Sequence, residues 1–301
     1  MIDKGTFEMI AAMAICGTIG ITVLASGQTE LDLIFYRCLF GAIFLAGIVI
    51  PRKYIQSYLN TKTAIWAALG GLALLANWYF LFSAYRNTSV GVATTVYNTQ
   101  PLMMILFGVV LFGEKITSNT LGWMAISISG LALISKIFVD GEIVASGSYL
   151  WGICEALLAA LLYAVAAIIA RKLKSTPPAL IALIQFLIGA IMLAPFANLS
   201  ILTRPEMDIP TLATLMLGIV HTGLMYVLLY GAIQKIEAWR VASISFLYPA
   251  IALVLDAIML GVQLDHTQWA GVALILIGAA GINLKWRLPI PNAIFIGVNK
   301  K

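Results

Sequence analysis

Four charged side chains stand inside stretches of this sequence that are otherwise apolar: Glu8, Arg37, Glu155 and Asp256. A charge surrounded by hydrocarbon is expensive, so each is a candidate for ion coupling, substrate neutralisation or a buried ion pair. Glu8 falls near the first turn of its stretch, where a helix dipole favours a carboxylate and water is within reach. Glu155 lies about two turns into its own stretch, where a carboxylate sheltered from bulk water can take up and release a proton. Arg37 has two uses open to it, an ion pair with Glu155 or Asp256 and the neutralisation of a substrate carboxylate. Asp256 follows Pro249 by seven residues and shares its helical face, which makes it a candidate wall of the same cavity.

Polar aromatics and amides form a second group. Asn77, Trp78, Tyr97, Asn98, Tyr163, His221, Tyr226 and Tyr248 all fall within apolar stretches rather than at their ends. Rings with polar tips make suitable walls for an amphipathic small molecule, and these eight residues are the expected substrate contacts. Pro101 and Pro249 fall near mid-stretch. Each removes a backbone donor and frees the carbonyl four residues earlier, at Tyr97 and Ser245, and in lipid a freed carbonyl lines a wet cavity or finds a partner. Asn98, Thr99 and Gln100 beside the first proline, and Ser243, Ser245 and Tyr248 beside the second, supply polar surroundings for such kinks. Metal chemistry is not expected, because the sequence has two histidines, His221 and His266, and three cysteines without ligand spacing. No cofactor motif or paired acidic catalytic motif is present.

The elements that must position these residues are set by composition. The 301 residues are 61% hydrophobic and 10% charged, with a mean hydropathy of +0.99. So few charges cannot cover a water-facing surface, and lipid is the expected solvent. Apolar runs fall at 5–26, 31–50, 64–84, 89–112, 119–138, 149–170, 178–197, 211–233, 239–261 and 267–286. Each is roughly 20 residues, enough for a helix to cross about 30 Å of hydrocarbon. The expected fold is therefore all-α, with ten transmembrane helices. Lysine and arginine set the orientation. If the N-terminus is cytoplasmic, fourteen of the eighteen fall inside, against Arg86, Lys136 and Arg204 outside, with Arg37 within a span. Both termini are expected in the cytoplasm of a cell whose inner membrane holds the protein. The net charge of +5 then belongs to the membrane surface and not to nucleic acid.

The chain also repeats itself. "LFGAIFLA" (Leu39 to Ala46) recurs as "LIGAIMLA" (Leu187 to Ala194), 148 residues later. At the same offset Ala84 falls on Ala232, Pro101 on Pro249, Gly113 on Gly261 and Trp78 on Tyr226, while Arg37 falls on the neutral Gln185. An offset of 147 places Glu8 on Glu155. Five spans per unit is an odd number, so the second unit would start from the opposite face, an inverted repeat of the kind that places a transporter's site at the repeat interface.

With "FYRCLFGAIFLA" in the second run, "SAYRNTSVGVATTVYNTQPLMMILFGVVLFGEKIT" across the third to fifth, and Ala232, Ala242, Ser243, Pro249 and Gly261 in the second half, the sequence resembles the drug/metabolite transporter superfamily, in its EamA-like branch. One departure is Gln263, where the second half lacks the acidic residue that follows Gly113 in the first. The resemblance implies two repeats, 1–138 and 149–287, an outer linker at 139–148 and a cytoplasmic tail at 288–301. It further implies a secondary transporter, most simply an exporter, of a small organic metabolite such as an amino acid, working by alternating access. A proton-coupled exporter of multiple drugs or cationic compounds is the alternative. The expected partners are the small-molecule substrate, membrane lipid and, as candidate coupling ion, the proton.

Overall fold

The structure, a computed structural model, describes residues 3–88, 90–134, 147–203, 208–259, 261, 265–291 and 294–295. Residues 139–146 of the expected linker at 139–148 lie outside them, as do Gln263 and the side chain of Asp256, while 147 and 148 open α9. Among the described residues, regular structure is helical apart from one short antiparallel pairing. In order, the helices are α1 (Lys4–Gly17), α2 (Ile19–Ser26), α3 (Glu30–Val49), α4 (Tyr54–Tyr58), α5 (Thr61–Asn87), α6 (Val90–Tyr97), α7 (Gln100–Phe112) and α8 (Ser118–Ile134). The second half contains α9 (Gly147–Lys172), α10 (Pro178–Leu193), α11 (Ser200–Thr203), α12 (Ile209–Gly218), a π-helical turn (Ile219–Leu224), α13 (Met225–Lys235), α14 (Ala238–Ser245), α15 (Leu247–Met259) and α16 (His266–Asn283).

Among the described residues, seven helical segments are long and apolar enough to cross a membrane: Lys4–Ser26, Glu30–Val49, Thr61–Asn87, Ser148–Lys172, Pro178–Phe196, Ile209–Lys235 and Ala238–Met259. The other three expected spans fall on the paired α6 and α7, on α8 and on α16, which are individually shorter or more polar. Helix starts were written locally. Asp3, Thr29, Asn60, Asp208 and Asp265 each accept a hydrogen bond from the backbone N–H three residues on, a cap that contributes about 1 kcal/mol. Gly113 and Gly261, 148 residues apart, both adopt left-handed backbone, with φ of 65° and 68°, which only glycine enters without strain.

Both prolines act differently from the expected mid-helix kink. Pro101 is the second residue of α7 and Pro249 the third of α15. There the missing N–H is one that no helix would use anyway. The two spans are thus broken outright, and Tyr97 and Ser245 are the last residues before each break.

The packing is organised in two groups that do not coincide with the two halves of the sequence. Helices α1, α2, α3, α12 to α13, α14 and α15 pack together, as do α5, α6, α7, α9 and α10. Each group takes helices from both halves, and the offset of about 148 residues converts one into the other. The groups meet where α3 touches α10, α14 touches α7 and α13 touches α9, and α8 pairs with α16 alongside. Glycines make these approaches possible. A β-carbon on Gly189 would collide with Cys38, and one on Gly71 with the backbone of Gln185.

Tyr36, near the start of α3, is fully buried; its hydroxyl donates to the Asn198 carbonyl at 2.7 Å and accepts from the Ile201 N–H at 3.2 Å. Trp151 and Trp269 are exposed, as an interfacial belt requires. The tail is tied down at its start. Strand β1 (Ile116–Thr117) pairs with β2 (Ile294–Phe295), and the Trp286 carbonyl accepts from Asn119 and from the Trp123 indole.

Candidate functional site

A cavity of about 290 Å³ lies between the two groups of helices. Residues of the first half line it from Met13 to Val23, at Leu33 and Arg37, from Trp78 to Tyr85, and at Thr94, Tyr97 and Gln100. The second half supplies Tyr163, Met225, Tyr226, Leu229, Ser245, Tyr248 and Ala252. Four lining pairs stand 148 residues apart: Trp78 with Tyr226, Leu81 with Leu229, Tyr97 with Ser245, and Gln100 with Tyr248. Equivalent positions of the two halves therefore face the same cavity. The first-half residues sit towards the helix ends farthest from Asp3, so the cavity extends from the middle of the bundle to that end.

The expected site residues divide. Trp78, Tyr97, Tyr163, Tyr226, Tyr248 and Arg37 line the cavity. Asn77 is fully buried behind it and donates to the Ala159 carbonyl at 2.7 Å and the Tyr97 hydroxyl at 3.3 Å. Asn98 accepts from the Tyr248 hydroxyl at 2.7 Å and donates to the Thr94 carbonyl, so it joins the two helix breaks. His221 is fully buried in the π-helical turn, its Nδ1 facing the Met216 carbonyl at 3.2 Å and its Nε2 the Thr18 hydroxyl at 2.7 Å. The Thr18 hydroxyl also donates to the Ile15 carbonyl at 2.7 Å, so the ring nitrogen and that carbonyl share one hydroxyl. His221 thereby ties the break between α1 and α2 to the other half.

Arg37 is 6% exposed. Its Nε donates to the Thr222 hydroxyl at 3.0 Å, and that hydroxyl donates in turn to the Leu217 carbonyl, five residues back in the π-helical turn. The guanidinium carbon lies 4.6 Å from the centre of the Trp78 ring, a cation–π geometry. The expected ion pair with Glu155 is not formed. The Glu155 carboxylate accepts instead from Ser83 at 2.7 Å and Asn87 at 2.8 Å.

Glu8, the counterpart of Glu155, pairs with Lys235 and abuts Gly231. Lys235 and Gly231 are the 148-residue counterparts of Asn87 and Ser83. The same joint thus occurs twice, with a cation in one copy and neutral donors in the other. Contacts between the helix groups close the end of the bundle that carries Asp3. Gln234 donates to the carbonyls of Ala170, Leu173 and Thr176 at 3.1 to 3.3 Å, and Glu114, paired with Arg171, accepts from the Ala238 N–H at 2.9 Å. Beside them Arg240 bridges to Asp3 at 2.7 Å. The Thr6 backbone N–H and then Arg240 hold the Asp3 carboxyl below the usual carboxylate range, so this pair stays charged at neutral pH and is lost only in acid.

Sequence reasoning passed over Met13, Cys16, Val23, Phe82, Tyr85 and Thr94. Most are apolar residues on apolar helices, and only the arrangement of the helices marks them. Tyr85 and Thr94 carried a signal of the kind used for the others, a polar tip near a break.

An apolar helical chain folded as two interleaved halves around a central aromatic cavity has the architecture of a multi-pass membrane transporter. The chain belongs to the EamA-like transporter family, whose model matches residues 4–136 and again 150–284. Among curated relatives, the uncharacterized transporter YxxF of Bacillus subtilis is 29% identical over 92% of this chain and 89% of its own length. A probable amino-acid metabolite efflux pump of Escherichia coli is 30% identical over 70% of this chain and 74% of its own. A crystal structure that shares 18% sequence identity superposes with a TM-score of 0.79, covering 93% of this chain and 96% of that one.

Proposed function

We propose that this protein is a secondary transporter that exports a small organic metabolite, an amino acid or amino-acid derivative, across the inner membrane by alternating access. The observation that carries this reading is the cavity lined by repeat-related pairs, because a site on the exchange axis meets both sides of the membrane in turn. The relative named as an amino-acid metabolite efflux pump supports both substrate class and direction.

In this reading ten segments cross the membrane, five per half, in opposite senses, with both termini in the cytoplasm. The short helices α6 and α7 then form one broken span, as α14 and α15 do. The described conformation is outward-facing, since the end carrying Asp3 is closed by Gln234 and Glu114. Glu155 is the candidate proton carrier, because it is buried and its described donors are neutral. Purified protein in liposomes loaded with a labelled cellular metabolite extract tests the proposal. Selective, protein-dependent release of one or a few metabolites is the expected result. Release no faster than from empty liposomes, in either imposed pH gradient, would refute it.

A further inference from the structure

The charges around the cavity say more about the substrate than the fold does. Among the described residues, Arg37 is the one lining side chain with a formal charge. It is charged at every physiological pH. At 6% exposure it is removed from bulk water, and no described carboxylate lies within ion-pair distance of it. Thr222 occupies one edge of the guanidinium and Trp78 one face, which leaves its terminal nitrogens to a ligand. Two parallel donors on a planar fork match a carboxylate.

The rest of the wall completes the description. Trp78 and Tyr226 flank Phe186, with ring centres 6.5 Å and 5.0 Å from it, and Trp78 faces the same cavity as Tyr97 and Tyr163. The described lining offers neutral hydrogen-bonding groups, among them the buried Gln100 Oε1, which has no partner, but no carboxylate to offset an ammonium. We infer that Arg37 is the carboxylate anchor of the site, and that the substrate is a monoanionic organic acid with an aromatic or similarly bulky apolar body. A zwitterion would leave the positive charge of the described lining uncompensated, and a cation would add to it. This inference rests on the transport reading and narrows its substrate to acids without a free ammonium, such as deaminated or N-acylated amino-acid derivatives, setting aside the free amino acids.

A set of probes of one shape tests the charge rule. Phenylacetate, phenylacetamide, phenylalanine and phenethylamine share a benzyl body and differ in charge. Each is titrated against purified wild-type protein by its effect on the thermal unfolding midpoint. Phenylacetate is expected to stabilise at the lowest concentration and phenethylamine least. In Arg37→Gln the half-saturating phenylacetate concentration should rise at least about tenfold, the loss expected for a charge-assisted hydrogen bond. Arg37→Lys should fall between the two, and Trp78→Phe should weaken all carboxylates while keeping the charge order.

The inference is overturned if the amide or the amine matches phenylacetate on wild-type protein, if no probe binds, or if Arg37→Gln leaves phenylacetate binding unchanged. The wild-type series stands by itself should Arg37→Gln fail to fold. Liposome release separates the two levels of the argument. Release of neutral or cationic metabolites overturns the anchor and leaves transport standing; no release at all removes transport.

Discussion

Gly20 has no atom within 4 Å of the place where a β-carbon would sit, and it lines the cavity. A side chain added there would meet no neighbouring helix. Gly20→Leu should therefore fold and reach the membrane at normal levels while its side chain occupies part of the 290 Å³ that the substrate needs. Transport should fall by about tenfold or more, the effect of forcing atoms into a filled site, with the unfolding midpoint unchanged. Lost expression would show that Gly20 makes a contact after all. Such positions mark the limit of the sequence at this scale. Trp78 and Tyr226 were legible because they are polar-tipped and aligned by the repeat. Asn77 was equally polar, yet one residue turns a helix by about 100°, and that rotation sends Asn77 towards Ala159 while Trp78 faces the cavity. Residue type announces candidates, and helix rotation selects among them.

At the scale of elements, the repeated joint is the informative unit. Glu8 on α1 meets Gly231 and Lys235 on α13, and Glu155 on α9 meets Ser83 and Asn87 on α5. Each joins helices within one packing group, so under the proposed alternating access neither contact has to break. Glu8 faces a cation, whereas the neutral donors of Glu155 can bind either the carboxylate or, after their own reorientation, its protonated form. Glu155→Gln should abolish the pH dependence of transport and spare phenylacetate binding, as read from transport at a series of pH values and from the unfolding midpoint. Glu8→Gln should keep the pH profile but lower the unfolding midpoint, because it leaves Lys235 without its partner; a flattened profile in Glu8→Gln would assign coupling to the wrong joint. Both glutamates were visible in the sequence as equivalent positions. Their difference was not, because it lies in the residues that α5 and α13 present to them, more than 60 positions away in the chain.

For the whole molecule, the symmetry predicts a conformation beyond the one described. Two groups of helices related by one offset can exchange their contacts, so that every tie closing one end has a counterpart able to close the other. Gln234 closes the Asp3 end by donating to Ala170, Leu173 and Thr176, near the end of α9 and just beyond it. Its counterpart at the 148-residue offset is Arg86, which stands at the opposite end, largely exposed, and among the described residues its ion-pair contact is to Glu30 at 3.9 Å. Carried back by the 147-residue offset that relates α9 to α1 and α2, the three carbonyls become those of Val23, Ser26 and Thr29. In the inward-facing state Arg86 should reach these carbonyls while Gln234 lets go of its own.

Two substitutions should then move the equilibrium in opposite directions. Gln234→Ala removes three weak hydrogen bonds from the outward-facing state and should favour the inward-facing one by about tenfold. Arg86→Ala should trap the protein outward-facing. A single cysteine at Ala252, in a background without Cys16, Cys38 and Cys154, reports the balance through labelling by a membrane-impermeant maleimide from the outer side. Labelling should slow in Gln234→Ala and quicken in Arg86→Ala. Equal rates in both would mean that the two residues do not exchange roles, and that the duplicated sequence survives here only as packing.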